Sequence, residues 1–144
     1  MVSKRVIGAI STVGVAAIVG FNSQSNFSNY RVIDGDTVAV DIKEMPEKFK
    51  KNIKIRVLGV DTAESKRYLA GCDKEVEMGL KAKAYVKGLV TNANTLDVTM
   101  EKNDKYGSRY LGDIIIDGNS LRGLLINGGY ARPYFGDKKK SWCD

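Results

Sequence analysis

The order of apolar and polar residues divides the chain into a strand-rich body carrying one long helix. Tyr30 to Ile33 and Thr37 to Ile42 hold β-branched residues on either side of Asp34-Gly35-Asp36, the pattern of a hairpin that opens a sheet. Lys43 to Lys51 is charged, contains Pro46 and reads as an exposed connection. Ile53 to Val60 alternates apolar residues with Lys54 and Arg56, as a half-buried strand does, and ends on Asp61-Thr62. The period then lengthens. Between Asp73 and Val90, the residues Val76, Leu80, Ala84, Val86 and Leu89 fall near one stripe, while Lys74, Glu77, Lys81, Lys83 and Lys87 fall largely elsewhere. This predicts an amphipathic helix of about five turns. Leu96 to Met100 and Tyr110 to Ile116 return to strand character, and Ser120 to Asn127 suits a short helix ended by Gly128-Gly129. Three strands, a helix, two strands and a short helix predict an α+β, mainly β fold: a five-stranded OB-fold barrel, with an SH3-like barrel as its structural rival.

The beginning of the chain follows another rule. Lys4 and Arg5 precede a nearly uncharged stretch from Val6 to Phe21, after which Asn22 to Asn29 turns polar. That layout is a signal peptide or a single membrane anchor. It falls short of the roughly 20 apolar residues that span a bilayer comfortably, and Gly8, Gly14 and Gly20 weaken the rival reading as a buried helix. Residues 1–26 are therefore set apart from a folded domain over 27–144, which is expected to lie outside the cytoplasm, secreted, periplasmic or membrane-anchored. In such a place Cys72 and Cys143 either form one disulfide or remain unrelated free thiols.

Composition narrows the chemistry. With 23 Lys and Arg against 17 Asp and Glu the net charge is +6, which favours polyanionic partners such as nucleic acid or an acidic membrane. The basic residues are scattered apart from Lys48, Lys50, Lys51 and Lys54, and Lys138 to Lys140, which read as solvated surface. The chain has no His, so the commonest general base and the commonest transition-metal ligand are missing. Two Cys without His cannot close a four-ligand zinc site, and any metal should be a hard cation held by oxygen.

Oxygen donors gather at strand ends. Asp34 and Asp36 flank a glycine in one turn and Asp61-Thr62 terminates another strand, so folding can bring two carboxylates and a carbonyl to one ion, which suits Ca²⁺. Glu64, two residues on, is within reach of a water near such an ion. Arg56 stands midway along an apolar strand, where a charge costs free energy unless it is paired or used. Each element alone has a plain structural reading, as turn former, loop carboxylate or snorkelling edge residue.

The ordered combination is more specific. Val32-Ile33-Asp34-Gly35-Asp36-Thr37, Ile55-Arg56-Val57-Leu58-Gly59-Val60-Asp61-Thr62-Ala63-Glu64 and Asp104-Lys105-Tyr106-Gly107-Ser108-Arg109-Tyr110-Leu111-Gly112 resemble the three signature blocks of the staphylococcal, thermonuclease-like nucleases. Asp117-Gly118 through Leu124-Leu125 to Arg132 is similar to that family's following turn and short helix, so the resemblance covers about residues 29–135. It implies a monomeric, calcium-dependent endonuclease that hydrolyses DNA and RNA with little sugar specificity and leaves fragments ending in a 3′-phosphate. Carried over position by position, it implies that Asp36, Asp61 and the Thr62 carbonyl bind Ca²⁺ and that Glu64 is the general base or water-positioning group. Arg56 and Arg109 would clamp the phosphate. Lys105 either meets a neighbouring phosphate or is solvated surface, and Tyr134 either stacks on a base or touches the phosphate, or else caps the core. Two rival classes share the barrel: a catalytically decayed nucleic-acid-binding module, and an anchored module that recognises another protein. The third block carries an extra residue, Ser108, which bears on where Arg109 points. The connection from Lys43 to Asn52 is longer than in the type member, whose last long helix is replaced here by Trp142-Cys143-Asp144, an ending that short relatives share.

Overall fold

Alternating β-branched residues pair where their period places them. In the computed structural model, which describes residues 26–43, 52–103 and 109–144, β1 (Phe27–Asp34) and β2 (Thr37–Ile42) form an antiparallel hairpin. β2 pairs antiparallel with β3 (Ile53–Val57), with Val38 opposite Ile55. The stretch read from the sequence as one strand to Val60 is broken at Leu58-Gly59, where Gly59 takes a φ of 88° that a side-chain-bearing residue rarely adopts. Beyond that break, β4 (Val60–Thr62) leaves the main sheet.

After the helix α1 (Asp73–Asn92) come β5 (Leu96–Asn103) and β6 (Tyr110–Ile116), an antiparallel pair. β6 also runs parallel to β3, with Ile55 opposite Tyr110, so the strand order is β1-β2-β3-β6-β5. The short β7 (Asn119–Ser120) pairs with β6 and leads into α2 (Leu121–Asn127), and β8 (Ala131–Pro133) returns to pair with β4. The mixed, mainly β architecture with two helices is OB-fold-like as expected, with the sheet not closed. Strands β4, β7 and β8 are too short to show a period, which is why the sequence predicts five strands.

One face of the sheet supplies Val38, Val40, Ile55, Val57 and Ile114 to a core completed by Val86, Leu121 and Leu125. The buried face of α1 is Val76, Gly79, Ala82 and Val86, whereas Leu80 is 52% exposed and Ala84 is also exposed. The stripe predicted through Leu80 and Ala84 is thus rotated. Its contact face is built of small residues, because the helix approaches the chain at Glu64 and Ser65 so closely that a Cβ on Gly79 would lie 2.6 Å from the Glu64 carbonyl oxygen. Hydrophobic periodicity does not register a face whose purpose is close approach.

Local polar contacts fix the ends. Asp117 and Gly118 both adopt positive φ, and Asp117 Oδ1 accepts from the backbone N–H groups of Asn94 and Thr95, each at 2.8 Å. Asp117→Ala removes both acceptor contacts and places a less tolerant residue at φ 50°. It is expected to lower the unfolding free energy by about 1–2 kcal/mol, read as a fall in urea midpoint at unchanged slope, whereas Asp117→Asn, which keeps an acceptor oxygen and tolerates positive φ, should recover most of that loss. Asp113 accepts from the Arg122 N–H and from the Ser120 hydroxyl, and Ser120 caps α2 by accepting from the Gly123 N–H.

Cys72, at the N-cap of α1, is joined by a disulfide to Cys143 in the C-terminal tail, which decides between the two alternatives left by the sequence. The expected signal or anchor segment lies outside the described residues, as do Lys105, Ser108 and residues 44–51 of the long connection. Among the described residues no helix is long and apolar enough to cross a membrane.

Candidate active site

Five chain segments meet in a cleft of about 130 Å³ whose lining includes Asp34, Asp36, Arg56, Asp61, Thr62, Glu64, Arg109 and Lys139. The hairpin turn between β1 and β2 delivers the two aspartates. It is seated on α1 through Gly35, where a Cβ would come within 2.8 Å of the Ala82 Cβ and 3.2 Å of Thr62. Asp36 then faces β3, since Thr37 is in register with Arg56, and its Oδ2 lies 3.3 Å from Arg56 Nη2 while Oδ1 accepts from the Thr37 hydroxyl at 3.1 Å. Asp34 turns to the other side, accepting from the Ser65 hydroxyl and pairing with Lys66 Nζ at 3.2 Å.

Arg56 is the hinge of this arrangement. Its Nη1 donates to the carbonyls of Val57 at 2.8 Å and Val60 at 3.0 Å, so one guanidinium binds both sides of the Leu58-Gly59 turn and the Asp36 carboxylate. Arg122 Nε donates to the Leu58 carbonyl from behind, and the Tyr134 N–H donates to the Gly59 carbonyl at 2.9 Å. The turn is thereby held on three sides, and it fixes where β4 presents Asp61 and Thr62. The Asp36 carboxylate and the two turn carbonyls offset part of the cost of burying the Arg56 charge.

Asp61 is 6% exposed, and both of its oxygens are engaged: Oδ1 lies 3.3 Å from Lys139 Nζ and Oδ2 accepts from the Trp142 indole N–H at 3.0 Å. Glu64 sits where the chain leaves β4. Its N–H donates to Glu75 Oε2 at 3.2 Å and its own Oε1 accepts from the Lys66 N–H, also at 3.2 Å. Glu75 Oε1 accepts from the Gly71 N–H at 2.8 Å, so this helix carboxylate ties both ends of the intervening loop to the start of α1. Arg109 enters from the residue before β6, which the parallel pairing with β3 sets beside the strand carrying Arg56. The extra residue before it does not remove it from the cleft.

The structure therefore brings together Asp36, Asp61, Thr62, Glu64, Arg56 and Arg109, and Asp34 joins them. Tyr134 lines a larger adjoining cleft of about 1300 Å³, together with Arg132, Lys138, Lys140 and Trp142, and the two clefts share Asp61, Thr62, Glu64 and Lys139. Lys139 Nζ also stands 5.4 Å over the Tyr134 ring. Sequence reasoning missed Glu75, Lys139 and Trp142. Lys138 to Lys140 reads as solvated surface, yet its middle lysine pairs with a buried carboxylate; only the neighbouring Trp142-Cys143, an apolar pair after a polar run, signals that the tail returns to the body.

Among the described residues no group of three or more His, Cys, Asp or Glu side chains is placed to hold a metal. The donors that the cleft does offer are all oxygen, and its two central carboxylates each face a protein cation, Arg56 on Asp36 and Lys139 on Asp61. Two carboxylates and a strand-end carbonyl suit a hard divalent ion that keeps much of its water, and the positive charges now opposite them mark where an ion's charge would be welcome. Carboxylates and guanidiniums thus share one cleft. A family model described as staphylococcal nuclease homologue matches residues 54–142, which include Arg56, Asp61, Glu64, Arg109 and the tail through Trp142, and with more than half of its length so matched the chain belongs to that family.

Proposed function

We propose that the chain is a calcium-dependent endonuclease that hydrolyses the phosphodiester backbone of DNA and RNA with little regard for the sugar. The observation that carries this reading is the convergence of Asp36, Asp61, Glu64, Arg56 and Arg109 on one cleft from segments far apart in the chain. In this reading Asp36, Asp61 and the Thr62 carbonyl hold Ca²⁺, which when bound supplies positive charge to the scissile phosphate. Glu64 orients the attacking water and takes its proton. Arg109 and Arg56 present planar forks of donors to the phosphoryl oxygens as charge builds on them. Arg56 keeps Nη1 on the turn carbonyls and swings its Nη2 contact from Asp36 to the phosphate. Water adds to phosphorus as the bond to the departing ribose oxygen breaks in line with it.

Little regard for the sugar is supported by the two guanidiniums of the smaller cleft, Arg56 and Arg109, which suit phosphate oxygens common to DNA and RNA. The basic residues of the larger cleft, Arg132, Lys138 and Lys140, with Tyr134 beside them, suit a polymer passing along the surface, the bases stacking without hydrogen-bonded readout. The disulfide supports an oxidising location outside the cytoplasm.

The test is degradation of DNA and of RNA by the folded domain with Ca²⁺ or with chelator. Chelation is expected to abolish cleavage, and Mg²⁺ to support less activity than Ca²⁺ because it demands stricter octahedral geometry and gives up water reluctantly. Equal rates with the two ions would overturn the choice of cation. Binding of nucleic acid without cleavage under any of these conditions would leave a binding module instead.

A further inference from the structure

We propose that Trp142 is a positioning residue for Asp61: its indole N–H fixes one carboxylate oxygen so that the other faces the cation site, and Lys139 holds that site until the cation arrives. The inference deepens the calcium reading of the cleft and rests on it. The distances are those of two distinct contacts on one buried carboxylate, Oδ2 to Trp142 Nε1 at 3.0 Å and Oδ1 to Lys139 Nζ at 3.3 Å. Asp61 is 6% exposed and Trp142 8%, so neither group has much water to replace the other. Lys139, with its side chain 55% exposed, is the opposite case, a long flexible cation able to withdraw to solvent.

The way Trp142 is held argues that the contact is built. Asp61 is in register with Arg132 across the β4–β8 pair. Arg132 Nη1 donates to the carbonyls of Lys140 at 3.2 Å and Ser141 at 2.9 Å, and its guanidinium lies 3.7 Å from the centre of the Trp142 ring. The strand partner of Asp61 thus grips the segment that brings an indole back onto Asp61, and the next residue, Cys143, is tied covalently to the start of α1. A carboxylate that binds a metal through one oxygen is oriented by a donor on the other, and removing such an orienting partner commonly costs about 10–100-fold in metal affinity. An indole serves well because it is a donor only and cannot itself compete for the cation.

The two contacts predict opposite effects. Calorimetric titration of the full oxidised chain with Ca²⁺ is expected to show Trp142→Phe, which keeps an aromatic ring beside Arg132, binding about tenfold more weakly or worse. Lys139→Met should bind several-fold more tightly, because the competing ammonium is gone. Far-UV circular dichroism and the urea midpoint of the metal-free protein accompany each titration, since a merely structural indole would lower the midpoint and leave the dissociation constant where it was. That result, or a wild-type constant in Trp142→Phe, overturns the proposal. If Trp142→Phe fails to fold, the wild type still decides: Trp142 is the sole tryptophan, so its emission should change with Ca²⁺ and saturate at the calorimetric constant, and unchanged emission overturns the proposal too. Wild-type protein that binds no Ca²⁺ sinks the calcium reading and this inference together, whereas normal wild-type binding matched by Trp142→Phe sinks this inference alone.

Discussion

Glu64→Gln is expected to slow hydrolysis of DNA at saturating Ca²⁺ by about 10²–10⁴-fold, the contribution usual for a positioned general base. The exchange alters chemistry and little else. The amide oxygen still accepts from the Lys66 N–H, and the contact that anchors this part of the loop, from the Glu64 N–H to Glu75, is made by the backbone. Gly79 packs against the Glu64 carbonyl, which is untouched as well. Fold and urea midpoint should therefore match the wild type while initial rates collapse. Near-normal turnover would remove Glu64 from the mechanism and shift attention to Asp34, which lines the same cleft.

Replacing both cysteines, Cys72→Ser with Cys143→Ser, should cost about 4 kcal/mol of unfolding free energy in the chain-entropy model. The bridge links positions 71 residues apart and so restrains a long loop in the unfolded chain, more than a bridge within a hairpin would. Its native contribution is local: it holds the tail beside α1, where Lys74 Nζ donates to the Asp144 carbonyl at 3.0 Å. Urea unfolding with and without reductant separates this effect from the substitutions, because reductant should lower the wild-type midpoint to that of the double variant and leave the variant unmoved. A loss below about 1 kcal/mol would show that the unfolded chain is compact enough to keep these ends together unaided.

The elements that sequence reading found are those whose signal is local. The β1–β2 hairpin, the long helix and the capped α2 each carry their period and turn chemistry within a few residues. Asp36, Asp61 and Glu64 were legible because they sit at strand ends and turns in a recognisable order, Arg56 because it is a charge within an apolar strand, and all four reach one cleft. What stayed hidden was contact between segments distant in sequence. No window of residues reveals that Gly79 exists to let Glu64 come close, that Arg56 spends two donor contacts on carbonyls of its own turn, or that Lys139 returns to Asp61. The small-residue face of α1 misled the periodicity for the same reason, since its partner is backbone 10 or more residues earlier in the chain and lies outside any helical period.

The partner strand of β4 and the indole on Asp61 have a consequence for biosynthesis. Trp142 follows Asp61 by 81 residues, so a chain growing on a ribosome has made its acidic and arginine residues long before it owns the segment that completes their surroundings. Until Trp142 has been added and has left the exit tunnel, the emerging polypeptide lacks both the donor to Asp61 Oδ2 and the segment that Arg132 grips, so the surroundings of Asp61 are the last part of the cleft to be completed.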